Sequence, residues 1–269
     1  MPVDPELRSL DIEIPAQPEV LVKLSVLMAE EEIDLLAVSA LVEGDMALAA
    51  AVLKAVNSSL YGLRGRVQTV HQALTYLGMR EVSAIAFEMS LRAAFPPAAE
   101  LEPVWERAAK RGLMMGRIGQ MIGVDPWACH SAGLFEECGK AVLYRHAPQH
   151  YPAQLRAAAT DAELCQLEVS AFGVSHDALG AALCESWGLA PAAVASVRHH
   201  VTLQASCQMP EALQRRGVAA VSFIVHTLLN DPDALELRVG EMAVQAQLDA
   251  QACLRAARRV ADQLERQGE

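Results

Sequence analysis

The strongest constraint on this chain is how its helix-breaking residues are spaced. Glycine and proline fall singly between apolar runs of helical period, and no stretch alternates apolar and polar residues with the turn signals that strands need. "EVLVKLSVLM" spaces Val20, Leu21, Leu24 and Leu27 along one helical face. Asp34, Asp45 and Thr69 stand where N-caps belong, and Gly44 and Gly78 stand where helices stop. Gly62 and Gly65 suggest a turn, and a longer helix is expected from about Arg80 to Phe95, where Pro96-Pro97 breaks it. A second group begins near Pro103. Asp125-Pro126 combines a cap with a proline in the first turn and opens a helix firmly. Further helices are expected at about 148–159, 161–171, 176–187, 191–202, 211–229 and 241–266, with Ser175 as a cap. The chain therefore reads as all-α, in two helical bundles that pack together, with Pro96-Pro97 as the internal boundary.

Composition narrows the function classes. Hydrophobic residues make up 52% of 269 residues, aromatics 4%, and the formal net charge is -11. A chain this acidic is poorly suited to nucleic acid or an anionic membrane, so neither is expected as a partner. No apolar run approaches the roughly 18 residues of a spanning helix. The acidic start, "MPVDPELRSLDIEIP", lacks a signal-peptide core. The six cysteines form no C-x-x-C pair and sit in apolar helical patterns, as small buried hydrophobes do in a reducing cytosol. A cytoplasmic protein without disulfides is expected.

The residues able to do chemistry are few. In "AGLFEECGK", residues 132–140, Glu136 and Glu137 are adjacent and point about 100° apart, so they do not jointly face one reactant. Glu136 and Lys140 have the i, i+4 spacing of a surface ion pair. Gly139 leaves room for another helix to approach. His176, His199 and His200 are ligand candidates. The short link from Gly188 to Pro191 makes their helices neighbours, although only one of His199 and His200 turns inward easily. His71, His130, His146, His150 and His226 have no pattern around them and read as structural or exposed. "NSS" at 57–59 ends a helix. Asn57 and Ser58 are either hydrogen-bonding terminators or an interaction site. Phosphate-binding loops, dinucleotide fingerprints, H-E-x-x-H and G-x-S-x-G are all absent from the sequence.

Several separated stretches together resemble one family. "IPAQPEVLVKL", "VEGDMALAAAVLKAVNSSLYG" and "VQTVHQALTYLGMREV", followed by "VWERAAKRG", "SAGLFEECGKAVL" and "SHDALGAALCESWGLAPAAVASVRHH", are similar to the HDOD family, the HD-related output domain of bacterial signalling proteins. The resemblance spans about residues 14–202. It implies an arm at 1–13, an N-terminal half at 14–97, an HD-like half at 98–202, and C-terminal helices at 203–269 packing on the HD-like half. It also implies kinship with metal-dependent phosphohydrolases, in which a His, a His-Asp pair and a later Asp hold a divalent ion that activates water. At those positions this chain has Arg107 and the Glu136-Glu137 pair, and the helix expected to supply the last Asp, 218–229, has no acid. An arginine donates hydrogen bonds only and cannot ligate a metal. Arg107 is expected to reach Glu136 or Glu137 and tie the two helices as a metal would.

The resemblance, with its ligands replaced, implies a degenerate, non-catalytic signalling module that holds no metal or cofactor and acts by binding a signalling partner protein. Two alternatives stand beside it. One is a metal-dependent phosphohydrolase with altered ligands drawn from Glu136, Glu137, His176, His199 and His200. The other is a sensor holding a nucleotide or small anion in the cleft between the halves, near Arg107, Lys110 and Arg111.

Overall fold

The structure is a computed structural model and describes residues 12–28, 30, 34–58, 61, 66–211, 213 and 216–268. Among them are fourteen α-helices and no strand. The chain divides at Pro96-Pro97 into two compact units. One contains residues 16–96 and 261–269, the other residues 1–15 and 97–260.

The first unit holds α1 (Glu19–Met28), α2 (Leu35–Glu43), α3 (Met46–Val56), α4 (Val70–Leu77) and α5 (Met79–Ala93). The caps read from sequence form as expected. Asp34 accepts from Leu36 N at 2.8 Å, Asp45 from Ala47 N at 2.8 Å, and Thr69 Oγ1 from Gln72 N at 3.1 Å. Gly78, at φ 83°, serves both as the end of α4 and the start of α5. Helices α1 to α4 all pack on α5, whose buried residues include Ile85, Phe87 and Leu91 and also Glu88. The turn expected at Gly62 and Gly65 lies outside the described residues, as does Ser59.

The second unit holds α6 (Glu102–Ile122), α7 (Pro126–His146), α8 (Tyr151–Ala157), α9 (Asp161–Phe172), α10 (His176–Ser186), α11 (Pro191–Ser206), α12 (Gly217–Asn230) and α13 (Leu235–Ala246). The last helix, α14 (Ala250–Gly268), begins in this unit, and its residues from 261 onward belong to the first. Asp125 caps α7 through Trp127 N and Ala128 N, with Pro126 in the first turn. Ser175 occupies the N-cap position of α10, but its hydroxyl donates to Asp177 and does not bond the helix backbone. The one long helix expected at 241–266 is two. Gln247 turns into the left-handed region at φ 58°, and Asp249 then caps α14 through Ala252 N. No glycine or proline marks this break, so the apolar pattern runs across it unseen.

Helix α7 is the centre of the second unit, with α6, α10, α11 and α12 packed around it. Every residue from Ala128 to Leu143 is buried. Two glycines set how closely the neighbours come. A Cβ on Gly139 would lie 1.8 Å from the His176 carbonyl oxygen of α10, and one on Gly133 would lie 2.8 Å from Gly112 Cα of α6.

Candidate functional site

A helix enclosed on all sides buries whatever charge it carries, and α7 carries three charges within five residues. Glu136, Glu137 and Lys140 are 1%, 3% and 2% exposed. Buried charges require partners, and α6 supplies two at i and i+4 on one face. The Arg107 guanidinium donates to Glu137 at 3.1 Å, and Arg111 donates to Glu136. Lys140 Nζ lies 3.0 Å from Glu137 Oε2 and 2.8 Å from Asp161 Oδ1 at the start of α9. The network is therefore the pair Glu136–Arg111 beside the chain Arg107–Glu137–Lys140–Asp161. The two glutamates diverge as their adjacency requires. Burial pushes the Glu137 carboxyl up, but Lys140, then Arg107 and Arg111, outweigh it and hold it at about 2. Burial likewise acts to raise Asp161, which Lys140 and the nearby imidazoles hold well below the usual carboxylate range. Burial disfavours the charge on Lys140, but Glu137 and Asp161 reverse that and raise its pKa.

The expected Arg107 link is present, to Glu137. The expected surface pair between Glu136 and Lys140 is not: both are buried, and Lys140 turns to Glu137 and Asp161. Arg111, named from sequence only as a candidate anion contact, has a side chain only 7% exposed. Its partner Glu136 is the reason it can be there.

The histidines sort themselves by helix face. His176 at the start of α10 and His200 on α11 are buried with ring centroids 5.7 Å apart, whereas His199 is half-buried and stands outside this cluster. Asp161 joins the two rings, so that one ligand-type atom from each of the three residues lies within 4.8 Å of the others. Behind His176 is Glu168, itself 0% exposed. One of its oxygens accepts from Tyr151 OH at 2.5 Å. The other accepts from His176 N and Nδ1, both at 2.7 Å. Sequence reasoning missed Asp161, Glu168 and Tyr151. Asp161 reads as an ordinary first-turn acid after the Thr160 cap. Glu168 had a signal, since it sits one turn after Leu164, on the face that α9 buries.

A cavity of about 560 Å³ opens beside the network, within the second unit. Arg107, Lys110, Arg111 and Lys140 line it, with Glu137, Asp161, His226 and Asn230. Arg107, Lys110 and Arg111, expected to face a cleft between the halves, instead line this cavity among helices of the second unit. Where the sequence lacked a late acid, α12 presents His226 and Asn230. Burial and then Arg111 lower His226 to about 4, so it is neutral at pH 7. Asn57 is spent on local structure: it closes α3 through Leu53 O and clasps Val67 through both its backbone N–H and C=O, at 2.8 Å each. Ser58 is exposed beside it.

As a metal site, the positions implied by the family resemblance do not fit. Arg107 and Arg111 offer donors only, and the carboxylates they face are already neutralised by guanidinium and ammonium.

A family model described as the HDOD domain matches residues 14–203. The chain belongs to the HDOD family. An HDOD domain protein of unknown function from Geobacter sulfurreducens has the same fold, with a TM-score of 0.73 at 19% identity over 97% of this chain and 93% of that one. A Shewanella amazonensis SB2B protein carrying a provisional phosphohydrolase name gives 0.71 at 19% identity, over 97% and 96%. A Marinobacter aquaeolei VT8 protein with a provisional signal-transduction name gives 0.69 at 21%, over 97% and 63%. An uncharacterized protein of Treponema pallidum (strain Nichols) is 24% identical over 202 residues. That alignment takes in 71% of this HDOD chain and only 38% of the relative's length.

Proposed function

We propose that this HDOD protein is a bacterial signal-transduction output module that acts by binding a partner protein, its HD-type position converted from a metal site into a permanent ion-pair lock. The observation that carries the reading is Arg107 on Glu137 and Arg111 on Glu136, both between α6 and α7, with Lys140 of α7 itself beside Glu137. A divalent ion holding two helices together is replaced by three fixed cations. What survives is the support such an ion gives to the fold, without the activated water that hydrolysis needs.

The test is an assay of the purified chain against bis-p-nitrophenyl phosphate and nucleotides with Mg²⁺, Mn²⁺ or Zn²⁺, run beside Glu137→Gln. No turnover above that variant, together with a stoichiometric complex with a bacterial protein that survives size-exclusion chromatography, supports the module. Metal-dependent turnover abolished by Glu137→Gln would overturn it.

A second reading rests on the cavity. Four cations line it against two carboxylates, in a chain of net charge -11, and its volume suits a nucleotide or a smaller phosphate compound. Calorimetric titration with inorganic phosphate and with nucleotides tests it, and binding that is lost in Lys110→Glu supports it.

A further inference from the structure

We propose that Asp161, His176 and His200 form a binding site for one divalent transition-metal ion, of two imidazoles and one carboxylate, adjoining the ion-pair lock through the Lys140–Asp161 contact. The way the rings are held points to it. His176 Nδ1 faces a Glu168 oxygen at 2.7 Å, and His200 Nδ1 faces the Val197 carbonyl oxygen at 2.7 Å. Both acceptors take the proton of Nδ1, so each ring, once deprotonated by an incoming metal ion, presents its lone pair at Nε2. The Nε2 of His176, in a residue 0% exposed, has no hydrogen-bond partner. A buried ring nitrogen with an unused lone pair is costly unless something takes it up. One atom from each of the three residues already lies within 4.8 Å of the others. A single ion with bonds of about 2.0–2.2 Å draws such atoms together with small side-chain adjustments.

The surroundings have the character of a metal site's outer shell. Glu168 orients His176 and is itself fixed by the Tyr151 hydroxyl and the His176 backbone N–H, the carboxylate–histidine arrangement that sets a ligand's tautomer and raises its basicity. Lys140 occupies Asp161 Oδ1 at 2.8 Å and leaves the other oxygen to bind. The charge balance also has room for a cation: Arg107, Arg111 and Lys140 stand against Glu136, Glu137, Asp161 and Glu168, three positive groups against four negative. Three protein ligands leave a coordination position open. Asp161, 31% exposed, also stands on the wall of the cavity. The donor set suits Zn²⁺, Co²⁺, Fe²⁺ or Mn²⁺ and disfavours Ca²⁺ and Mg²⁺, which take oxygen.

The site is independent of the partner-binding reading, and either can fail alone. The test is titration of the full chain with Co²⁺, followed by visible absorption, and with Zn²⁺, followed by calorimetry. The variants are His200→Gln, Asp161→Asn and His199→Gln, each checked for fold by circular dichroism. One ion per chain with a micromolar or tighter Kd is expected, together with the intense bands of low-coordinate Co²⁺. Affinity should fall at least tenfold in His200→Gln and Asp161→Asn and be unchanged in His199→Gln. Absence of stoichiometric binding by the parent chain would overturn the proposal, as would binding that folded His200→Gln and Asp161→Asn proteins retain in full. If both variants unfold, the parent's Co²⁺ spectrum decides: bands lacking imidazole ligation, or no bands, overturn it.

Discussion

At the scale of single residues, the decisive fact is that the two arginines on Glu136 and Glu137 are not equivalent. Arg111 is buried and Arg107 is half exposed, with side-chain exposures of 7% and 49%. Removing Arg111 strands Glu136 in the interior, so Arg111→Met is expected to cost about 3–5 kcal/mol in chemical denaturation. Arg107→Ala leaves Glu137 with Lys140 and is expected to cost about 1 kcal/mol or less, with an effect that shrinks further at high salt. Equal losses would mean that the lock is not organised by burial. Glu88 carries a separate prediction. Burial, only partly offset by Arg92, raises its carboxyl from 4.5 to about 7. Between those values the folded state binds more protons than the unfolded one. Its contribution is therefore complete below about pH 4.5 and is lost as pH rises through 7. Glu88→Gln should remove that decline, giving a protein more stable than its parent at pH 8 by on the order of 2 kcal/mol and little different at pH 4. Sequence carried part of this scale. Arg107 facing a carboxylate followed from the family resemblance, which sets a cation opposite acids at the ligand positions. The burial of Arg111 was not legible, because a charged residue reads as solvated until the helix around it is known to be enclosed, and Glu168 gave only the signal of its place one turn after Leu164.

At the scale of elements, α7 behaves as an axle gripped by its neighbours at glycines. Gly139 has no space for a methyl group against the His176 carbonyl, only 1.8 Å from where a Cβ would stand, and Gly180 of α10 packs back on the Phe135 carbonyl. Gly139→Ala should gain roughly 1 kcal/mol of helix propensity and lose several to the forced separation of α7 and α10, lowering the thermal midpoint by about 10 °C or more. A neutral or stabilising result would show that the crossing is loose. The need for a glycine here was legible in "EECGK", since a glycine inside a firm helix calls for a packing reason. Helix boundaries set by caps were legible too: Asp34, Asp45, Thr69 and Asp125 each bond the backbone they were expected to bond. The split between α13 and α14 was not, because Gln247 takes a left-handed turn with a residue type that gives no notice of it.

At the scale of the whole molecule, charge governs both partners and acid response. With a net charge of -11, the chain is expected to show no fluorescence-anisotropy change with duplex DNA at physiological salt; saturable binding there would redirect the search for partners toward nucleic acid. Among the described residues no single helix is long and apolar enough to cross a membrane. Acid should unfold the protein through Glu137. Its folded value near 2 lies below the unfolded value of about 4.5, so its stabilisation is whole above pH 4.5 and drains as pH falls toward 2. Glu137→Gln should flatten the stability curve over that interval. The fold class was legible because helical spacing persists along nearly the whole chain. The network and the imidazole cluster were not, since they join residues 107, 137, 140, 161, 176 and 200, whose meeting depends on tertiary packing alone. Lys140 has one ammonium group and two clients, Glu137 and Asp161. That one ammonium is shared between the two carboxylates, so the charge Asp161 carries sets how much of it is left for Glu137. Asp161, which stands against the buried imidazoles, is thus joined to the half-exposed Arg107 through two intervening side chains, Lys140 and Glu137.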